Sequence, residues 1–132
     1  MASRAGGAPK SLPDSRFRIV LEGFTLDLTI SGRHGAVTDA MRDHARQRAA
    51  KFEQFSKHLM GVKVTLTIEG GRQTAEFVAR ARGKGELVSK AVTQDMYASI
   101  DQAAVKLEKQ LDKLEARIRD RREKTKAKRA QE

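Results

Sequence analysis

The chain has 132 residues and a formal net charge of +10, from 27 lysine and arginine residues against 17 aspartate and glutamate residues. This length is enough for one domain, and the charge indicates a polyanionic partner, either nucleic acid or an anionic membrane surface. The absence of cysteine excludes disulfides, a thiol nucleophile and cysteine-ligated zinc. With no tryptophan, one tyrosine and five phenylalanines, phosphate contacts are favoured over base stacking.

Residues 1–24 are predicted to be a disordered leader, because the first part of this segment contains both prolines of the chain among mostly small and polar residues. Residues 1–16 have no apolar core of the kind found in secretory signals. No apolar run approaches the roughly 20 residues of a membrane span. The apolar stretch FRIVLEGF (17–24) is an additional candidate strand.

The first elements of the domain follow from two different periodicities. Alternation of apolar and polar residues in LDLTIS (26–31) predicts a strand with one buried face. Thr38 or Asp39 can then cap a helix that runs to about residue 56. The apolar residues of this helix recur at helical spacing: Val37, Met41, Ala45, Phe52 and Phe55.

Three further strands are predicted over 61–71, 74–82 and 87–93, and short glycine-containing turns join them. Asp95 can cap a second helix that continues to about residue 124. The domain is thus predicted over 25–124, with a basic disordered tail over 125–132. The order β-α-β-β-β-α indicates an α+β fold, in which a four-stranded sheet carries both helices packed on one face.

The second helix separates its charges by sign. Its apolar stripe recurs every three or four residues: Met96, Ile100, Ala103, Leu107, Leu111, Leu114 and Ile118. One flank of the stripe is basic: Lys106, Lys109, Lys113, Arg117, Arg121 and Lys124. The other flank is acidic, with Arg119 and Asp120 as exceptions to the pattern: Asp101, Glu108, Asp112, Glu115 and Glu123.

This segregation favours a phosphate-binding ridge. A helix adapted only to solvent would mix the two signs and pair them at i,i+4 spacing. Dimerisation of the chain through this stripe, as a coiled coil, is less favoured, because the stripe is short and must also cover the sheet.

Five other basic residues are weaker candidates for the same surface. Arg42 and Arg46 lie on one flank of the first helix, and Arg80, Arg82 and Lys90 alternate with inward residues of the predicted strands. Each alone is typical of ordinary surface. They become candidates as a group because the same molecule also carries the basic flank of the second helix.

The sequence has no pattern typical of an enzyme, a metal site or a cofactor site. His34, His44 and His58 lack the close spacing of a helical metal-binding pair. The GKG turn lacks the upstream glycine and the following serine or threonine of a phosphate-binding loop, and no serine lies in a nucleophile elbow. We therefore predict a non-enzymatic protein without metal or cofactor.

The stretch DMYASIDQAAVKLEKQLDKL (95–114) resembles the DMY-x-AID…KLE-x-QL-x-K signature of the ribosome hibernation-promoting factor and ribosome-associated inhibitor family. Members of this family are also named sigma-54 modulation proteins. The stretch LTISGRHGAVTDAMRDHARQRAAKFEQF (28–55) is similar to the opening strand and helix of the family. The resemblance covers residues 25–118 and preserves the predicted order of elements.

The resemblance implies a fold similar to double-stranded RNA-binding domains, and the small ribosomal subunit with its ribosomal RNA as partner. Binding in the cleft for messenger and transfer RNA would block translation sterically in stressed or stationary cells. Ribosomal RNA binding is implied for basic positions of both helices: Lys106, Lys109, Lys113, Arg117 and, less directly, Arg42 and Arg46. The sequence ends at residue 132, and we expect a short form without the C-terminal dimerisation domain of long members. We also expect it to be cytoplasmic and monomeric off the ribosome.

Two other functions stay open from the sequence. A generic double-stranded RNA-binding module would bind free duplex RNA as tightly as the small subunit. A protein-interaction module that modulates a transcription factor would bind its partner after nuclease treatment and at high salt. Membrane association is disfavoured, because the apolar stripe is needed for the core.

Overall fold

Five strands and two α-helices make up the computed structural model, which describes residues 15–21, 23–33 and 37–130. In chain order they are β1 (Ser15–Leu21), β2 (Phe24–Arg33), α1 (Asp39–Ala50), a 3₁₀ helix (Lys51–Phe55), β3 (Leu59–Glu69), β4 (Arg72–Ala81), β5 (Gly85–Thr93) and α2 (Met96–Ala130). Residues 1–14 of the predicted leader, residues 131–132 of the predicted tail and His34 lie outside the described residues.

The strands form one sheet in the order β1-β2-β3-β4-β5, so the prediction of four strands was wrong. The additional strand is β1, which pairs antiparallel with β2 from Ser15 opposite Ile30 to Leu21 opposite Phe24. It lies inside the segment predicted as a leader, and the apolar stretch that begins at Phe17 was its signal. Pairing there is favourable because β2 would otherwise present an edge of unpaired backbone groups.

The sheet is mixed, since β2 and β3 are parallel and every other neighbouring pair is antiparallel. A parallel pair needs a crossover, which α1 and the 3₁₀ helix provide. The turn between β3 and β4 has two residues, Gly70 and Gly71. Gly70 has φ +61°, a left-handed conformation that favours glycine in such hairpin turns.

Both helices begin at caps that the sequence predicted. The backbone N–H of Met41 donates to Thr38 Oγ1 at 3.1 Å, so Thr38 and not Asp39 caps α1. The backbone N–H of Tyr97 donates to Asp95 Oδ1 at 3.1 Å at the start of α2. The C-terminal bounds differ more, since α1 ends at Ala50 and α2 continues to Ala130, past the predicted end at residue 124.

The core lies between the sheet and the two helices, which pack side by side on one face. Leu28, Val64 and Phe77 of the sheet are buried against Phe52 of the 3₁₀ helix and Leu107 of α2. Small core residues permit close approach of α2 to β4 and β5: Ala75, Ala79, Ala91, Ala103 and Ala104. The one-face arrangement of the helices agrees with the prediction.

A buried hydrogen bond fixes this contact, in which Ser89 Oγ donates to the carbonyl oxygen of Ala103 at 2.7 Å. Because buried polar groups are costly when unpaired, this bond favours one position of α2 over β5.

Helix α2 is longer than the sheet that it covers. Its 35 residues span about 52 Å at 1.5 Å per residue, whereas the 11 residues of β3 span about 36 Å at 3.3 Å per residue. The buried residues of α2 end at Leu114, and residues 119–130 are all exposed. We call residues 119–130 the projecting segment.

Candidate nucleic-acid interface

The six basic residues predicted on one flank of α2 are all exposed. We call them the basic row: Lys106, Lys109, Lys113, Arg117, Arg121 and Lys124. From the first to the last of them the helix rises by about 27 Å at 1.5 Å per residue. The row therefore presents positive charge along several turns of one helix.

The basic row begins beside β5, an edge strand of the sheet. Lys106 Nζ donates to the carbonyl oxygen of Lys90 at 3.0 Å, and Gln110 Nε2 donates to that of Val88 at 2.9 Å. These bonds satisfy carbonyl groups on the outer side of the edge strand, which would otherwise be open to pairing with another chain. Lys106 thus has a structural contact in addition to its exposed charge.

The acidic flank of α2 faces the segment that contains α1 and the 3₁₀ helix. Asp101 Oδ1 lies 2.8 Å from His44 Nε2 and 3.3 Å from Arg48 Nε. Further along, Glu115 Oε2 lies 3.6 Å from His58 Nε2. Segregation of charge on α2 therefore has a structural reason that a helical wheel does not reveal. Asp101 pairs with α1 and Glu115 pairs with the connection before β3, whereas the basic row points outward.

The two basic residues predicted on α1 lie away from the basic row. Arg42 is only 8% exposed, and its Nη2 donates to the carbonyl oxygen of Ile30 at 3.4 Å. It joins α1 to β2 and departs from its predicted place on the RNA-binding surface. Arg46 Nη2 lies 3.2 Å from Asp43 Oδ1, and its guanidinium lies 5.3 Å from the ring centroid of Phe17. A wheel of α1 alone does not indicate which flank meets β1 and β2.

The basic strand residues also separate. Arg80 and Lys90 project from the face of the sheet opposite to the helices, where the register sets them across from Glu86 and Glu76. Acidic neighbours reduce the positive potential of this face, which differs from the helix flank that carries the basic row. Arg82 lies just past the end of β4, next to the projecting segment.

A cleft of about 560 Å³ lies between the projecting segment and the end of the sheet. We call it the cationic cleft, because basic side chains line both of its walls. The sheet wall contributes Lys57, Arg82 and Lys84. The helix wall contributes Arg121, Arg122, Lys126 and Arg129. Arg82 and Arg121 were predicted as site residues, and the structure brings them together here.

Backbone geometry shapes the sheet wall of the cleft. The N–H of Arg82 donates to the carbonyl oxygen of His58 at 2.7 Å, which ties the connection after β4 to the connection before β3. Gly83 has φ +68°, a conformation that lets the chain turn between Arg82 and Lys84. Both basic side chains consequently line the same cleft as Lys57.

Five cations of the cleft were not among the predicted site residues: Lys57, Lys84, Arg122, Lys126 and Arg129. A signal for the helix wall was nevertheless present. Past Ile118 the stripe of α2 continues at helical spacing through Arg121, Thr125 and Arg129, but its residues are no longer apolar. A stripe that turns from apolar to basic indicates that the helix has left the core.

Residues 15–21, 23–33 and 37–130 contain neither a membrane-spanning helix nor a metal-binding group. No helix in these ranges is both long and apolar enough to cross a membrane. The same ranges hold no group of three or more histidine, cysteine, aspartate or glutamate residues suited to a metal ion. Among these described residues, no aspartate or glutamate lines the cationic cleft.

Residues 28–126 match the family described as "Sigma 54 modulation protein / S30EA ribosomal protein". The chain belongs to this family. A ribosome hibernation promoting factor of Pseudomonas putida KT2440 is 36% identical over 88 residues, which are 67% of this chain and 85% of that protein. The family is one of non-enzymatic ribosome hibernation factors, which confirms the prediction that the chain is not an enzyme.

Two solved structures of similar proteins share the fold. The N-terminal domain of Protein Y from Thermus thermophilus has 31% identity and a TM-score of 0.56, and the match covers 66% of this chain and 93% of that chain. A ribosomal subunit interface protein from Coxiella burnetii has 19% identity and a TM-score of 0.59, with 69% of this chain and 97% of that chain covered. These matches confirm the α+β fold class that the sequence predicted.

Proposed function

We propose that this member of the family binds the small ribosomal subunit in the cleft for messenger and transfer RNA and blocks translation sterically. It would act in the cytoplasm of stressed or stationary cells, as a monomer before it meets the ribosome. The observation that carries the proposal is the exposed basic row on a chain whose relatives are hibernation factors.

The basic row is suited to contacts with phosphate and sugar rather than with bases. Its members follow one flank of a helix for about 27 Å, a distance that spans several phosphates. Arginine can form two parallel bonds to one phosphate, whereas lysine acts as a mobile point charge. Tyr97 is the one tyrosine of the chain, and tryptophan is absent, so base stacking contributes little.

The first experiment is sedimentation of a stationary-phase lysate through a sucrose gradient, with detection of this protein, before and after a high-salt wash. We expect co-migration with the small subunit or the whole ribosome, and loss of that co-migration in high salt, because each neutralised phosphate releases counterions. A protein that remains at the top of the gradient at low salt contradicts the proposal.

Charge reversal on the two flanks of α2 tests the basic row itself. We expect Lys109→Glu with Lys113→Glu to weaken binding to purified small subunits by at least tenfold, since two phosphate contacts are lost. The matched control is Glu108→Lys with Asp112→Lys, which changes the net charge by the same magnitude, in the opposite direction, on the other flank. A similar loss from both pairs would rule out the row as the contact surface.

Free duplex RNA separates the proposal from a generic RNA-binding function. The proposal expects the small subunit to outcompete a duplex of matched length at equal phosphate concentration. Equal affinities would favour the generic module.

A further inference from the structure

The cationic cleft differs from the basic row in position and in construction. The row lies along the flank of α2, whereas the cleft lies under the helix, on the side that covers the core further upstream. The cleft also has a second wall, made of Lys57, Arg82 and Lys84, that no part of α2 supplies. It therefore surrounds a ligand from two sides.

The charge of the cleft requires an explanation beyond helix stability. Basic residues near a helix C-terminus interact favourably with the helix dipole, but this effect is limited to the last turn, which here contains Lys128 and Arg129. Arg121 and Arg122 lie two turns or more before the end. Like charges on two facing walls repel each other, so an anion between the walls would lower the electrostatic energy.

The shape of the cleft fits a chain of charges better than a single ion. From Ile118 to Arg129 the helix wall extends for about 16 Å at 1.5 Å per residue. Thr125 lies midway along this wall and lines the cleft. Its hydroxyl donates to the carbonyl oxygen of Arg121 at 3.0 Å, so the hydrogen of this hydroxyl is used within the helix. The charged groups of the helix wall are therefore the basic side chains on either side of Thr125.

The lining of the cleft favours a phosphate backbone over a protein segment. Protein-binding sites are centred on buried apolar or aromatic anchors, and Ile118 is the one large aliphatic residue that lines this part of the described chain. No phenylalanine, tyrosine or tryptophan is among the described lining residues, so bases would not be stacked or read.

We infer that the cationic cleft holds the phosphodiester backbone of one RNA strand, without sequence preference, at a second site that shares only Arg121 with the basic row. The choice of RNA as the polyanion rests on the proposed function. On binding, the strand would bridge the sheet wall and the projecting segment, whose residues are all exposed. The projecting segment would consequently become more ordered.

The test measures binding of a labelled single-stranded RNA of about 12 nucleotides to the full chain by fluorescence anisotropy at several salt concentrations. The variants are Lys84→Glu in the sheet wall and Lys126→Glu in the helix wall. The matched control is Lys128→Glu, which changes the same residue type two positions from Lys126 and does not line the cleft. All three residues are exposed, so the variants should fold.

We expect each wall variant to weaken RNA binding by about tenfold and to reduce the slope of log affinity against log salt by about 0.7, the value for one single-strand phosphate contact. The double variant should lose less than the product of the two single losses, because both residues face one ligand. Lys128→Glu should weaken binding by less than threefold. An equal loss in all three variants, or no loss from Lys84→Glu, overturns the inference.

Hydrogen exchange gives a second readout that general charge effects do not produce. Backbone amides of residues 119–130 should be protected by RNA in the wild-type chain and not in the Lys84→Glu variant. A polyglutamate chain of matched charge should not protect them at the same concentration. Equal protection by polyglutamate would assign the cleft to an acidic protein segment and overturn the choice of RNA.

Parallel sedimentation with purified small subunits separates this inference from the proposed function. If the wild-type chain binds the subunit and the wall variants bind RNA and subunit as well as the wild type, the inference alone fails. If the wild-type chain does not bind the subunit but its RNA binding depends on Lys84 and Lys126, the proposed function fails and the cleft assignment stands.

Discussion

One face of helix α2 is apolar in the first part of the helix and basic in the last part, although the backbone is helical throughout. From Met96 to Leu114 this face is apolar and buried against β4 and β5. In the projecting segment the same face carries Arg121, Arg122 and Arg129 and lines the cationic cleft. The change occurs where the sheet ends. The residue types on a helix face therefore follow from what that face contacts.

The difference also separates two sources of stability. A buried leucine in the covered part contributes about 1.5–3 kcal/mol relative to exposure. The projecting segment has the backbone hydrogen bonds of the helix but no buried face, and such bonds do not hold a short helix in water by themselves. Its amides should therefore exchange faster than those of the covered part.

The largest effect that the comparison predicts is loss of stability in the covered part. Leu107 is fully buried, so Leu107→Ala should lower the free energy of unfolding by about 2–5 kcal/mol in urea denaturation. Lys109→Ala, on the exposed side of the same turn, should change it by less than about 0.5 kcal/mol. Equal losses would show that the covered part is not anchored by its stripe.

A smaller effect is expected at the start of the helix. Asp95→Ala removes the acceptor for the backbone N–H of Tyr97 and should cost about 0.5–2 kcal/mol in the same measurement. The control is Asp112→Ala, which removes a carboxylate from an exposed position within the helix. Similar costs at both positions would indicate a general charge effect in place of a cap.

The ion pairs between the helices should contribute less again. Asp101→Asn weakens contacts with His44 and Arg48, but the carboxylate is 49% exposed, so the expected loss is about 0.2–1 kcal/mol. The loss should shrink in high salt, because partly exposed pairs are screened. Asp112→Asn on the same flank is the control. A loss that is unchanged at high salt would point to packing of the side chain as the cause.

The smallest effect is expected from one substitution in the projecting segment. Ala127→Gly should leave the global free energy of unfolding within about 0.5 kcal/mol, although it weakens the helix locally. The same change at the buried Ala104 should cost about 1 kcal/mol or more. If Ala127→Gly were as costly as Ala104→Gly, the projecting segment would belong to the cooperative core.

The sequence alone determined the elements whose signals are local. Alternation and helical spacing indicated β2 to β5 and the two helices. Thr38 and Asp95 were correct caps because capping depends on neighbouring backbone groups. The family signature in 95–114 also belongs to the sequence itself. The basic row was predictable because its members share one helix flank.

The division of the basic residues among different surfaces depends on the packing of the elements. The tertiary structure buried Arg42 against β2, set Arg80 and Lys90 on the open face of the sheet, and placed Arg82 across a cleft from Arg121. It also added β1 to the sheet in place of part of a predicted leader. These outcomes depend on contacts between residues far apart in the chain. Local periodicity indicates which face of an element a residue occupies, but it does not indicate which other element that face contacts.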